Sequence, residues 1–506
     1  HRQKIDKIAF PFNALVARPV KRDEVSRTPA AQAALLKEWT KLRAAGCWDE
    51  KNVREWDDIV KESKSSHSKA HIARLFEICV EKGSELPMGD PGRKFKGRVV
   101  LQGNNVKDEN WDHAIFAELS SCPSTMEAAK ASDAYGLVPG HVSEQCDAEQ
   151  AYTQAKIKGT NTWVEIPRHQ WPEAWRGMRR PVCRLVLALY GHPDAGGYWE
   201  QHCERHLLSV GFEQIPEWRS CYFHKKLGLF LTVYVDDFKM SGPRENMKEG
   251  WRLIRKGVKT EEPTPAGKYL GCDHIQGTMD VVDQKNPLHP DLAKRKKENA
   301  ATVPPYKGDG TKRRVRALKY DMKGFLAQCV DKYVELTKID RKKIVKVDTP
   351  FVDIPKDDPT AENVKPGALQ SIASKVLMKI LYAARMGRYD LLKATCALAS
   401  RVTKWTEACD KLLHRLVCYI HSSLDVYLHG WIGDKKEDLR LELYTDSDFA
   451  GDPETMRSTS GVFLALVGKN SFFPLFATSK RQSCVSHSTT EAEIVAADLG
   501  HRVTGL

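Results

Sequence analysis

No uninterrupted apolar run in this chain approaches ~20 residues, so no transmembrane helix and no membrane partner are expected. The N-terminal stretch HRQKIDKIAFPFNALVARPV lacks the apolar region and cleavage site of a signal peptide. It also lacks an initial Met, so the chain is expected to be a piece of a longer one. No Cys-x-x-Cys pair occurs, and the 13 cysteines are an odd number scattered from Cys47 to Cys484. That speaks against a disulfide framework and a structural zinc site, and for a reducing, intracellular setting. Internal repeats are absent too. Acidic residues are the minority charge: 79 Lys and Arg against 66 Asp and Glu leave +13, a balance suited to a polyanionic partner.

At 506 residues, 41% hydrophobic and 29% charged, the chain has the make-up of a globular protein of two to four domains. Leu35, Trp39 and Leu42 share one stripe of a helix over Ala30–Ala45, which Gly46 stops. FKGRVVLQG, from Phe95, alternates as a strand, and residues Glu127–Tyr135 are helical. Strand, glycine-punctuated loop and helix follow one another across Val182–Phe212. Residues Val281–Arg316 are polar, basic and aperiodic, the composition of a loop or inserted linker. Amphipathic helices are expected at Leu369–Ala384 and Lys411–Ile420. Strands follow at LELYTD (Leu441–Asp446) and within Gly461–Ser479, and a last helix ends at Gly500.

LTVYVDDFKMSG (Leu231–Gly242) runs an apolar strand into two adjacent aspartates, Asp236 and Asp237. Like charges at the tip of a hydrophobic hairpin repel unless something positive sits there. A solvated turn is one reading. The other is a metal site: Asp147 also ends an apolar strand, and converging carboxylates hold divalent cations.

CDAEQAYTQAKI resembles the first palm motif of reverse transcriptases from copia-type LTR retrotransposons, and YVDD resembles their active-site hairpin. RLVLALYGHPDAGGYWEQH, FKGRVVLQG, KYLGCD and LKYDMKGFLAQCVDKY are similar, in the family's order, to its remaining segments. The resemblance implies an α+β right-hand polymerase, with palm, fingers and an α-rich thumb/connection, followed by a partial RNase H-like domain. The implied divisions are a helical lead-in at 1–80, fingers and palm at 81–280, a basic insert at 281–316, thumb/connection at 317–435 and the RNase H-like part at 436–506. It also implies an RNA-directed DNA polymerase that joins dNTPs to a primer 3′-hydroxyl on an RNA or DNA template. Two Mg²⁺ ions, replaceable by Mn²⁺, would be held by Asp147, Asp236 and Asp237. Lys96 and Arg98 match the basic residues that hold the triphosphate, with the solvated face of a strand as the competing reading. Tyr152 matches the ring beneath the incoming sugar, against a core tyrosine. Gly191 matches a glycine of close approach to nucleotide, against a plain turn. The family's usual Gln after Leu-Tyr-Gly is missing from HPDAGG (His192–Gly197), which puts the contact made there in doubt.

LYTDSDFAGDPETMRSTSGVFLALVG, with the later TTEAEIVAADLG, is similar to the family's RNase H domain. Asp446 matches its first carboxylate and Glu493 its second, with Glu491 as the alternative; Asp448 and Asp452 read as loop charges. The family's further aspartates are expected beyond this stretch, so no RNA cleavage is expected from it. Other parts of the same polyprotein are candidate partners. A decayed or domesticated copy that only binds nucleic acid, or a structural subunit, is the rival reading.

Overall fold

In the computed structural model, residues 17–84, 87–114, 116, 121–282, 312–352, 365–452 and 455–505 are described. The chain opens with β1 (Ala17–Val20), α1 (Arg22–Arg27), α2 (Pro29–Ala44), β2 (Trp48–Glu55), α3 (Trp56–Ser65), β3 (Ala70–Lys82) and β4 (Lys94–Leu101). Helix α2 has Pro29 in its first turn and buries Ala31, Leu35, Trp39 and Leu42, the stripe legible in the sequence. Gly46, at φ 69°, turns the chain out of it. The expected helical lead-in over 1–80 is corrected by β1, β2 and β3. Strand β3 is covered on both faces only over Ala70–Ala73. Beyond that burial alternates, but Glu81 lies on the buried side and Phe76, Ile78 and Val80 on the more open one, so apolar and polar residues do not alternate.

Next come α4 (Met126–Leu137), β5 (His141–Asp147), β6 (Asn161–Glu165), β7 (Pro181–Leu185), α5 (Ala195–Ser209), β8 (Glu213–Gln214), β9 (Cys221–His224), β10 (Leu229–Tyr234), β11 (Asp237–Pro243), α6 (Arg244–Arg255) and β12 (Thr264–Pro265). The first sheet runs β1-β3-β6-β7-β2, with β4 also paired to β3; the second runs β12-β5-β11-β10-β9-β8. One face of the second sheet (Leu229, Leu231, Val233, Phe238, Met240) packs on Trp199 and Leu207 of α5 and Trp251 and Ile254 of α6. This apolar layer is the floor beneath the aspartate hairpin.

The remaining elements are β13 (Lys268–Tyr269), β14 (Cys272–Val282), β15 (Lys312–Asp321), α7 (Lys323–Thr337), α8 (Gln370–Gly387), α9 (Leu392–Ala399), α10 (Glu407–Ser422), β16 (Leu428–Ile432), β17 (Arg440–Asp448), β18 (Thr459–Gly468), β19 (Ser471–Arg481) and α11 (Thr489–Thr504). The strands form one seven-stranded sheet, β13-β14-β15-β16-β19-β18-β17. Two expectations change here. The supposed insert 281–316 contributes strand residues at both ends, Val281 and Val282 pairing with Arg313 and Lys312. Its middle, with the Lys294–Lys297 cluster, lies outside the described residues. And the expected boundary at 435/436 falls inside a continuous sheet, since β16 pairs with β15 on one side and β19 on the other.

Helix α4 packs against strands of both the second and third sheets. Its C-terminal end is held by Arg316 of β15, whose guanidinium donates to the carbonyls of Gly136 at 2.9 Å and Val138 at 3.2 Å, and also to that of His141 at the start of β5 at 2.8 Å. That arginine belonged to a basic cluster in the sequence; in the fold it caps a helix end. Helix α11 runs past Gly500 to Thr504, because Gly500 lies on β17 where a Cβ would meet Thr445 Cγ2 at 2.7 Å. Gly505, at φ 70°, takes the cap instead.

Candidate active site

Strands β10 and β11 close at Tyr234↔Asp237, leaving Val235 and Asp236 as a two-residue turn. Val235 sits at φ 59°, an outlier for a β-branched residue that costs about 1–3 kcal/mol. The turn is held by Trp199 Nε1, donating to the Val235 carbonyl at 2.7 Å, and by the Ala148 amide, donating to the Asp236 carbonyl at 2.7 Å. Strand β5 lies on the other side of β11, and its last residue, Asp147, is directly opposite Asp237. Sequence neighbours and a residue ninety positions earlier thus meet at one strand end.

That meeting is electrostatically costly. Burial, then the charges of Asp236 and Asp147, then a hydrogen bond to Asp147, push the Asp237 carboxyl up to about 7. Among the described residues, no three His, Cys, Asp or Glu side chains converge tightly enough, as they stand, to hold an ion.

Facing the aspartates is a wall built from β4 and the turn after β7. Lys96 and Arg98 stand on the open side of β4. The Arg98 guanidinium lies 5.0 Å from the centre of the Tyr190 ring, and Tyr190 meets Tyr152 edge-on at 4.7 Å. Tyr152 is half-buried, just after a left-handed Gln150 (φ 48°). Burial and then Asp236 raise Tyr152, and the same two causes push Tyr190 up to about 12. Crowding of the fold around its ammonium pulls Lys96 down, as do Lys82 and Arg98, against Glu38 and Asp236. Asp236 is therefore within electrostatic reach of Lys96, Tyr152 and Tyr190.

Gly191 answers to the chain's own backbone. It sits at φ 88°, and a Cβ there would meet the Leu101 carbonyl at 2.1 Å. The Leu101 amide donates to the Tyr190 carbonyl at 2.8 Å, so the glycine lets the turn dock on the end of β4 and holds Tyr190 beneath Arg98.

Two members of this wall were missed in the sequence. Tyr190 stands in the quoted Leu-Tyr-Gly motif, which is the signal that could have found it. Glu38 carries no motif; it projects from α2, its carboxyl raised by burial against Lys41, Lys96 and Arg98. The atypical HPDAGG stretch turns inward: His192 and Asp194 are buried, and the Asp194 amide donates to His192 Nδ1 at 3.1 Å. Burial pulls His192 down to about 4.

At the far end of the third sheet, Asp446 is exposed on β17, and Glu493 on α11 accepts from the neighbouring Ser447 amide at 3.3 Å. Glu491 caps α11: its amide donates to Ser488 Oγ at 3.1 Å and its carboxylate accepts from the His487 amide at 2.7 Å. Asp448 and Asp452 are not free loop charges. Asp448 pairs with Lys393, and Asp452, 11% exposed, pairs with Arg481 at 2.7 Å.

Residues 89–287 match the family described as reverse transcriptase (RNA-dependent DNA polymerase). The chain is 24% identical over 421 residues to the retrovirus-related Pol polyprotein from transposon TNT 1-94 of Nicotiana tabacum, a match covering 80% of this chain and 27% of that protein. It is 25% identical over 421 residues to the corresponding polyprotein from transposon RE2 of Arabidopsis thaliana, covering 79% and 24%. The chain thus spans about a quarter of the length of these curated relatives. Among solved structures, the foamy viral protease-reverse transcriptase in complex with RNA/DNA hybrid is similar at TM-score 0.39 and 11% identity, over 83% of this chain and 42% of that one.

Proposed function

We propose that this chain, which carries a reverse transcriptase region of the copia retrotransposon type, is an RNA-directed DNA polymerase. The observation that carries the reading is the juxtaposition at the hairpin: Asp147 opposite Asp237, Asp236 at the tip, and a cationic and aromatic wall facing them. In this reading the first and second sheets serve as fingers and palm, helices α7–α10 as thumb and connection, and the region from β17 to α11 as part of an RNase H-like domain.

Asp147, Asp236 and Asp237 would hold two Mg²⁺ ions, with Mn²⁺ as a substitute. Hard carboxylate oxygens suit these cations, and Asp237, raised by burial and then by the charges of Asp236 and Asp147, would ionise more readily beside a cation. Bound there, the ions would activate the attacking oxygen and stabilise the leaving one. The chain's own side chains do the rest. Lys96 and Arg98 pair with the triphosphate of the incoming dNTP. The Tyr152 ring lies under its sugar and excludes a 2′-hydroxyl, while Tyr190 and Gly191 fix Arg98 and the floor of the pocket. The primer 3′-hydroxyl then attacks the α-phosphate and pyrophosphate leaves. The +13 balance helps to hold the hybrid.

The rival, a copy that only binds nucleic acid or serves as a structural subunit, draws on the inward-turned HPDAGG stretch. Incubating the purified chain with poly(rA)/oligo(dT), dTTP and Mg²⁺ separates the two. Primer elongation supports the polymerase; tight binding without elongation supports the rival.

A further inference from the structure

We propose that the buried ion pair between Lys239 and Asp133, extended by His274 and Tyr320, is a positioning device that fixes the Asp236–Asp237 hairpin against the β13–β14 hairpin. The proposal rests on the polymerase reading above for its kinetic consequence, though not for its geometry.

On β11, residues Asp237, Lys239 and Ser241 share one face, opposite Phe238 and Met240 in the apolar floor. Lys239 is in the middle of that strand with a side chain 0% exposed, Asp133 is 3% exposed and His274 2%. The Lys239 ammonium contacts Asp133 Oδ1. Tyr320 of β15 donates to Asp133 Oδ2 at 2.9 Å, and His274 Nε2 of β14 stands 3.3 Å from the same oxygen. His274 Nδ1 faces the Cys272 carbonyl at 3.1 Å, which fixes the plane of the ring. Tyr269 of β13 places its ring 4.4 Å from the Lys239 ammonium. One residue along α4, Ser132 meets Ser241 at 2.9 Å, and Ser143 of β5 meets it at 2.8 Å. Consecutive residues of α4 thus engage alternate residues of β11.

A buried pair of this kind is a poor device for stability, because the desolvation of two charges offsets most of their attraction. An apolar contact of the same volume would hold the layers together as well. What it would lack is direction: hydrophobic burial is non-directional, whereas an ion pair whose carboxylate also accepts the Tyr320 hydroxyl fixes one offset between the elements that bear it. The elements here are the strand that begins at Asp237 and the hairpin that turns at Leu270 (φ 48°) and Gly271 (φ 76°). The ladder to β5 and β10 sets where Asp237 lies within its own sheet. The Lys239–Asp133 pair sets where that sheet lies over the next one.

The test uses the full chain and three variants: Lys239→Met, Asp133→Asn, and the double Lys239→Met/Asp133→Asn, in which the Asn oxygen still accepts from the Tyr320 hydroxyl. Each single variant leaves one buried charge without its partner and should melt lower. The double removes both charges and should melt near the parent. We expect the double variant to elongate poly(rA)/oligo(dT) about 10–100-fold more slowly with KM for dTTP unchanged, because the dNTP wall is built on β4 and the turn after β7. Hydrogen exchange should also rise in peptides spanning 236–239 and 268–274, and not in the first sheet. A stable double variant with parental turnover and parental exchange would overturn the proposal and leave the pair a packing element. Should the parent itself fail to elongate, the polymerase reading falls, and exchange at the two hairpins decides the positioning claim alone, raised for it and unchanged against it. Should the double variant not fold, Asp133→Asn, which keeps the side-chain shape, is put through the same two measurements.

Discussion

Between pH 4 and 7 the Asp237 carboxyl keeps its proton in the folded chain and gives it up in the unfolded one, since its ordinary value of 3.8 is pushed up to about 7. The folded state then binds more protons than the unfolded state, so stability falls as pH rises through this window. Chemical denaturation of the metal-free protein should show that fall, and Asp237→Asn should flatten it. Excess Mg²⁺ should flatten it too, by favouring the ionised carboxylate; a slope indifferent to both changes would place the carboxyl elsewhere. Tyr152 offers a second check. If the Tyr152 ring lies under the incoming sugar as proposed, Tyr152→Val should raise ribonucleotide relative to deoxyribonucleotide incorporation. Unchanged discrimination together with loss of fold would make Tyr152 a core residue. At this scale the sequence was informative where a residue's chemistry announces itself, as with paired aspartates after an apolar strand. It was silent on Glu38 and on the burial of Lys239, because one needs the packing of α2 on β4 and the other the packing of α4 and the β13–β14 hairpin on the opposite face of β11 from the apolar floor.

Among the elements, helices α2, α8 and α10 were legible because each buries one stripe and leaves the rest in water. Strand β3 was not, since it places Glu81 on its buried side and Phe76 and Ile78 on its more open one, and neither was the unity of the third sheet. The pairing of Arg316–Tyr320 with Leu428–Ile432 joins segments more than a hundred residues apart and leaves no local mark. Helix α11 was legible at its start, where the Ser488 hydroxyl accepts from the Glu491 amide, but not at its end, where a glycine serves packing instead of termination. Ser488→Ala should therefore destabilise this region by about 1 kcal/mol, read as faster exchange in α11 amides with little change in the second sheet. The same region should leave the RNA of a labelled RNA/DNA hybrid intact in Mg²⁺ or Mn²⁺, since Glu491 is committed to the cap and only Asp446 and Glu493 remain. Cleavage that disappears in Asp446→Asn would contradict that assignment.

Over the whole molecule, the basic excess and the aspartate hairpin make separable demands on one ligand. Charge should govern binding: affinity for a primer-template should fall steeply with salt as Lys and Arg contacts release counterions. The three aspartates should govern turnover. Asn in place of Asp147 keeps the shape of the side chain and its place opposite Asp237, and removes only the charge that would hold a cation. The most direct measurement is elongation of poly(rA)/oligo(dT) by Asp147→Asn beside the parent, with primer-template affinity measured at the same salt. The account predicts that elongation is abolished while affinity stays close to the parent's. Elongation at near the parental rate would contradict it.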